Sequence, residues 1–253
     1  MVWQGLAPQR KETALCGITG WVDFEEDLSG QQAVVAAMTA TMACRGPDAA
    51  GTWCSERALI GHRRLAVVDI PGGVQPAADR GVVLTFSGEI YNFRELRREL
   101  EGYGHTFRTR SDTEVLLRSW LQWGSDCLPR LNGMFAFAVW DAGREELVLA
   151  RDRLGVKPLC YAPTASGVLF GSEPKAIIAH PRWQPELDAD GISELFGQIG
   201  TRTPGHGMYR GLREVRPGWM VRVGRDGVHE SAYWQLEARP HTDDEAASVA
   251  MVR

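Results

Sequence analysis

No stretch of this 253-residue chain approaches the roughly 18 uninterrupted apolar residues that a membrane span needs. The first fifteen residues, MVWQGLAPQRKETAL, also lack the apolar core of a secretory signal. A cytoplasmic location and no membrane partner are therefore expected. Cysteine is sparse: Cys16, Cys44, Cys54, Cys127 and Cys160 are odd in number, widely spaced and contain no C-x-x-C pair. That excludes a disulfide framework or a zinc site of the usual spacing. For all but Cys16 the expectation is a small buried hydrophobe in a reducing compartment. The six histidines are scattered, without H-E-x-x-H, so no metal site is expected. Rossmann and P-loop fingerprints are missing as well, which leaves a nucleotide cofactor no obvious seat. No excess of one charge sign exists: 28 Lys and Arg face 32 Asp and Glu, a net charge of −4. A nucleic-acid binder dominated by basic charge is excluded on that ground.

What is present is an ordinary globular mixture, 44% hydrophobic and 24% charged, on a chain long enough to bury a core without staples. Gly17 to Phe24 reads as a strand, and Gln31 to about Cys44 as a helix on the spacing of Val34, Val35, Met38 and Met42. Arg45-Gly46-Pro47-Asp48 stops that helix. Strand-like runs follow at Ala58 to Val68 and Gly81 to Phe86, then helices at Phe93 to Glu101 and Asp112 to Trp123. Trp120 and Trp123, three apart on the second helix, are expected in the core. From Met134 to Phe170 strands dominate, at Met134 to Trp140, Glu146 to Arg151 and Gly167 to Phe170. Short helices near Pro174 to Ala179 and Asp188 to Phe196 precede a glycine-rich loop at Gly200 to Gly211. A hairpin of Trp219 to Val223 and Val228 to Trp234 comes next. Helices and strands that do not strictly alternate predict an α+β fold with antiparallel sheets. Beyond Trp234, Thr242 and Glu245 mark the cap of a last helix.

Phe86-Ser87-Gly88-Glu89-Ile90-Tyr91-Asn92 ends an apolar strand with backbone N–H groups and a carboxylate together, the kind of place where rigid scaffolds carry function. Each candidate also fits a plain structural role. Arg64 fits a surface charge, and Asp112 fits a helix N-cap ahead of Glu114 and the apolar run.

Taken in order, seven strings resemble one family. They are Cys16-Gly17-Ile18, Arg45-Gly46-Pro47-Asp48, Arg64 to Asp69, Ser87 to Asn92, Ser111-Asp112, Gly133 to Phe137 and Arg151 to Leu159. The chain from Cys16 to about Trp234 resembles the glutaminase half of glutamine-hydrolysing asparagine synthetase, one of the class II glutamine amidotransferases. The resemblance implies an N-terminal-nucleophile hydrolase fold, a four-layer αββα sandwich of two antiparallel sheets. It implies L-glutamine as substrate and hydrolysis to glutamate and ammonia through a thioester on Cys16, with the freed α-amine of Cys16 as base. It places Arg64 on the substrate α-carboxylate, Glu89 and Asp112 around the α-ammonium, and Leu65 and Val67 along the pocket backbone. Gly88 supplies an oxyanion N–H.

Two features depart from the family pattern. Ser87 stands where asparagine commonly gives the second oxyanion donor, which predicts weakened rather than abolished hydrolysis. Residues 1–15 precede Cys16 and tie its nitrogen into an amide. Either that leader is cleaved after Leu15, or Leu15 is an alternative start and the leader is not translated, or the leader stays and the chain is inert; the second is favoured because family members commonly begin Met-Cys-Gly. The resemblance further implies an ATP- and magnesium-using synthetase domain, in cis or in trans, whose S-G-G-x-D-S loop does not occur here. Residues 235–253 are expected to be a linker and the truncated start of that domain. No cofactor is expected in this chain, and a homodimer stays open. Glutaminase service to another acceptor, and a non-catalytic glutamine- or partner-binding module, are the competing readings.

Overall fold

The computed structural model describes residues 15–66, 69, 72–197, 203–238, 240, 242 and 244–252. In chain order the first elements are β1 (Gly17–Asp23), α1 (Gln32–Ala40), β2 (Ala49–Cys54), β3 (Ala58–Arg64), β4 (Ala77–Asp79) and β5 (Val82–Ile90). Next come α2 (Phe93–Gly102), α3 (Asp112–Trp123), a 3-10 segment (Gly124–Arg130), β6 (Gly133–Asp141) and β7 (Glu146–Arg151). The chain continues through β8 (Cys160–Pro163), β9 (Gly167–Gly171), α4 (Pro174–Ile178), α5 (Ala189–Gly197) and β10 (Arg213–Glu214), then β11 (Trp219–Gly224), β12 (Gly227–Ala232) and α6 (Glu245–Val252).

The strands form two six-stranded sheets, ordered β10-β8-β9-β1-β3-β2 and β12-β11-β7-β6-β5-β4. Every pairing between these strands is antiparallel. Period-two alternation assigns each strand's two faces to different cores. In β6, Ala136, Ala138 and Trp140 face the seam between the sheets, where they meet Ile18, Val22, Ile60 and Phe170. The alternate residues Phe135, Phe137 and Val139 pack outward with Leu96 and Leu100 of α2 and Val115, Leu116 and Trp120 of α3. On the other outer face Trp21, Leu59 and Leu169 join Val35 and Met38 of α1 and Ile177 of α4. Three apolar layers thus separate four layers of structure, the αββα sandwich that the family resemblance implies.

Differences are local. α1 ends at Ala40 rather than near Cys44, because tight i→i−3 turns take over at Met42, Ala43 and Arg45. β2, β4, β8 and β10 have no counterpart among the strands read from the sequence. β2 is a mostly exposed edge strand without apolar alternation. The expectation of four buried cysteines holds for Cys127 and Cys160 only. Cys54 is half-buried, and Cys44 is exposed in the turn after α1, with Lys175 Nζ 3.5 Å from its sulfur. The start of the glycine-rich loop, residues 200–202, and the leader up to residue 14 lie outside the described residues.

Candidate active site

Antiparallel pairing brings the beginning of β1, the ends of β3, β5 and β7 and the beginning of β6 to one end of the sandwich. Cys16 lies there, one residue ahead of β1. Its carbonyl accepts hydrogen bonds from Ser87 Oγ at 2.8 Å and Arg45 Nε at 3.1 Å, and Arg45 Nη1 bonds Glu173 at 2.8 Å. The backbone of the nucleophile candidate is therefore clamped from β5 on one side and from the turn after α1 on the other. Its sulfur faces Leu65, whose N–H donates to Sγ at 3.3 Å and whose carbonyl lies 3.6 Å away. Burial pushes the Cys16 thiol above its ordinary pKa, against the pull of the Leu65 N–H and of the Arg64 and Lys157 charges. Such a thiol needs a base to become a nucleophile.

Cys16 opens on a pocket of about 110 Å³ shared with Arg64, Leu65, Gly88, Glu89 and Asp112. That is small against the roughly 300–1,000 Å³ of drug-sized sites, and it suits a single amino acid better than a nucleotide. Arg64 closes β3, and its Nη2 donates to the carbonyl of Asp69 at 2.9 Å. Gly88 adopts φ +148°, and a Cβ there would stand 2.1 Å from the Met134 carbonyl oxygen. Only glycine fits this approach of β5 to β6. Asp112 is the first residue of α3, which Ser111 caps by accepting the Thr113 N–H at 3.1 Å. One Asp112 oxygen accepts the Ile90 N–H at 3.1 Å, which ties the helix start to the end of β5. Burial raises the Asp112 pKa, opposed by the Ile90 and Thr113 N–H groups and reinforced by Glu89.

The structure thus brings Cys16, Arg64, Leu65, Gly88, Glu89 and Asp112 to one pocket. Ser87 is placed differently. It is 1% exposed, faces the seam, and spends its hydroxyl on the Cys16 carbonyl. Val67 lies outside the described residues. Leu15 shares the pocket with Cys16.

Sequence reasoning gave no role to Asp152 and Lys157, although both stand in the Arg151 to Leu159 string. Asp152 is 1% exposed, and Lys157, 3% exposed, lines the pocket. A charged residue in a turn signal is the one hint the sequence carried. No histidine lines the pocket among the described residues. His62 lies deeper, between the sheets, with Nδ1 3.1 Å from Thr85 Oγ1, and burial lowers its pKa to about 3. The described residues contain no cluster of side chains able to hold a metal ion.

Residues 15–234 match the glutamine amidotransferase domain family. The chain belongs to that family. It is 49% identical over 243 residues to asparagine synthetase [glutamine-hydrolyzing] 3 of Bacillus subtilis, covering 94% of this chain and 40% of that protein. Asparagine synthetase B [glutamine-hydrolyzing] of Escherichia coli is 36% identical over 189 residues, 74% of this chain and 34% of that protein. The chain therefore spans well under half the length of the curated relatives it matches. Among solved structures, the glutamine phosphoribosylpyrophosphate amidotransferase of B. subtilis superposes with a TM-score of 0.63 at 21% identity, over 87% of this chain and 50% of that one. The shared fold is that of the N-terminal-nucleophile hydrolases. No helix among the described residues is long and apolar enough to cross a membrane.

Proposed function

We propose that this amidotransferase domain hydrolyses the side-chain amide of L-glutamine with Cys16 as nucleophile. The observation that carries this reading is a clamped cysteine thiol in one small pocket with a guanidinium, Arg64, and two carboxylates, Glu89 and Asp112. A zwitterionic amino acid needs both signs of charge, and a planar arginine suits its α-carboxylate. Glu89 and Asp112 serve the α-ammonium, and Leu65 the pocket backbone.

The base is the α-amine of Cys16 once Leu15 is no longer attached. A chain-terminal amine has a pKa of about 7.7–8.0, close to working pH, whereas an amide nitrogen is no base. The amine takes the thiol proton as Sγ attacks the amide carbon. The carbonyl pair moves onto oxygen, where the Gly88 N–H donates. Collapse breaks the C–N bond, ammonia leaves with the relayed proton, and water hydrolyses the thioester to glutamate and free thiol. Ser87, with its hydroxyl on the Cys16 carbonyl, orients the nucleophile.

In this reading residues 16–234 form the glutaminase domain and residues 1–15 a leader absent from the active form. Residues 235–253, including α6, begin the connection to an ATP- and magnesium-dependent synthetase domain that amidates aspartate, in cis or in trans. Such a protein works in the cytoplasm. A second reading rests on Leu15, which lines the pocket beside Cys16: with the leader retained, the chain binds glutamine without cleaving it.

Incubation with glutamine and with asparagine, followed by assay of glutamate, aspartate and ammonia, tests the proposal. Glutamate and ammonia in equal amounts from glutamine alone are expected. Binding of glutamine without product favours the second reading.

A further inference from the structure

The turn after β7 is built around one carboxylate. Asp152 accepts N–H groups from Phe135 at 3.1 Å, Leu154 at 3.1 Å, Val156 at 2.9 Å and Lys157 at 2.9 Å. Arg151 closes the turn from outside through the carbonyls of Lys157 at 2.8 Å and Gly155 at 2.9 Å. Gly155 takes φ +66°, which a side chain would resist. This rigid turn carries Lys157 into the wall of the Cys16 pocket. Its side chain is buried, and among the described residues its ammonium has no hydrogen-bond or ion-pair partner.

The Lys157 stem is buried while its tip reaches the pocket without a fixed partner, so the ammonium is placed to meet an anion that arrives there. Burial and the Arg45 charge lower the Lys157 pKa, while Cys16, Asp152 and Glu89 raise it. Asp152 is committed to four backbone donors. The substrate carboxylate has Arg64. What lacks a second donor is the oxygen of the attacked amide, because Ser87 Oγ is already spent on the Cys16 carbonyl.

We propose that Lys157 is a catalytic residue of this pocket, its ammonium donating a hydrogen bond to the oxyanion formed when Cys16 attacks the glutamine amide. This rests on the glutamine-hydrolysis reading. As the C–S bond forms, the carbonyl pair moves to oxygen beside the Gly88 N–H and the Lys157 N–H. Collapse returns that pair and expels ammonia with the proton taken from the thiol. Lys157 keeps its own proton throughout.

Steady-state glutamine hydrolysis by the chain beginning at Cys16 tests this in Lys157→Met, Lys157→Gln and Lys157→Arg. Both neutral variants are expected to lose about 10²–10³-fold in kcat with KM little changed, and Arg to recover part of the loss. A raised KM at unchanged kcat would overturn the proposal by moving Lys157 to the substrate carboxylate. The pH profile of Cys16 alkylation by iodoacetamide, in the full 253-residue chain, needs no turnover. It should shift to higher pH in Lys157→Gln and return in Lys157→Arg. If the parent chain makes no glutamate, the function reading fails while the alkylation arm still decides whether Lys157 acts on an anion at Cys16. An unmoved profile overturns the proposal whatever the parent does.

Discussion

Two regions of the sandwich bury titratable groups to opposite effect. In the seam between the sheets, His62 has Thr85 for a partner and aliphatic and aromatic side chains around it, and its pKa falls to about 3. It is a neutral packing residue. A few residues away, at the open end of the same seam, Cys16, Arg64, Glu89, Asp112 and Lys157 share one pocket. There each charge has backbone donors, a neighbouring charge or an incoming ligand to meet. Burial alone does not make a site; burial among convergent donors and charges does.

The largest effect that sharpens this contrast is at the nucleophile. Cys16→Ala should lower glutamate release by about 10⁴-fold or more with little change in thermal midpoint, since among the described residues the thiol hydrogen-bonds Leu65 alone. Retained activity would place the chemistry elsewhere. Gly88→Ala should cost about 10²–10³-fold in kcat through the displaced oxyanion donor. It also introduces a Cβ against the Met134 carbonyl at a φ that costs roughly 1–3 kcal/mol, read as a lower urea midpoint.

The seam behaves differently and answers to pH rather than to substrate. The folded pKa of His62, about 3, lies below its unfolded value near 6.5, so its contribution to stability is intact above about pH 6.5 and declines as pH falls toward 3. Urea unfolding at pH 7 and pH 4.5 should show a smaller acid loss in His62→Gln than in the parent. Parallel losses would mean that His62 does not carry the acid sensitivity. The mildest change is Arg64→Lys, which keeps the charge and loses the fork. It should raise KM for glutamine by about 10- to 100-fold at nearly constant kcat, the worth of one charged hydrogen bond. A fall in kcat alone would assign Arg64 to the reacting end.

Much of this arrangement was legible in the chain. α3 runs from Asp112 to Trp123 as its apolar spacing predicts, although Ser111 rather than Asp112 is its cap, and β7 has the expected bounds. β5 and β6 extend beyond the stretches read as strand, because Ser87 to Ile90 continues the ladder opposite Gly133 to Ala136. The edge strand β2 was not legible, since exposed AAGTWC carries no alternation. In the site, Arg64, Glu89 and Asp112 were singled out, but their roles came from the family resemblance. Ser87 shows what alternation does tell: it shares the parity of Val83 and Thr85, so its side chain faces the seam. Lys157 was hidden for the opposite reason. A turn has no periodicity, and the direction of its side chains follows from Asp152 gathering four N–H groups, a tertiary fact.

The central claim is that Cys16 acts with its own freed amine as base. Glutamate release from glutamine, measured side by side for protein whose first residue is shown by intact mass to be Cys16 and for protein beginning at Met1, tests it most directly. The account predicts turnover in the first and none in the second. Equal turnover in both would contradict it, because an amide nitrogen at Cys16 would then suffice.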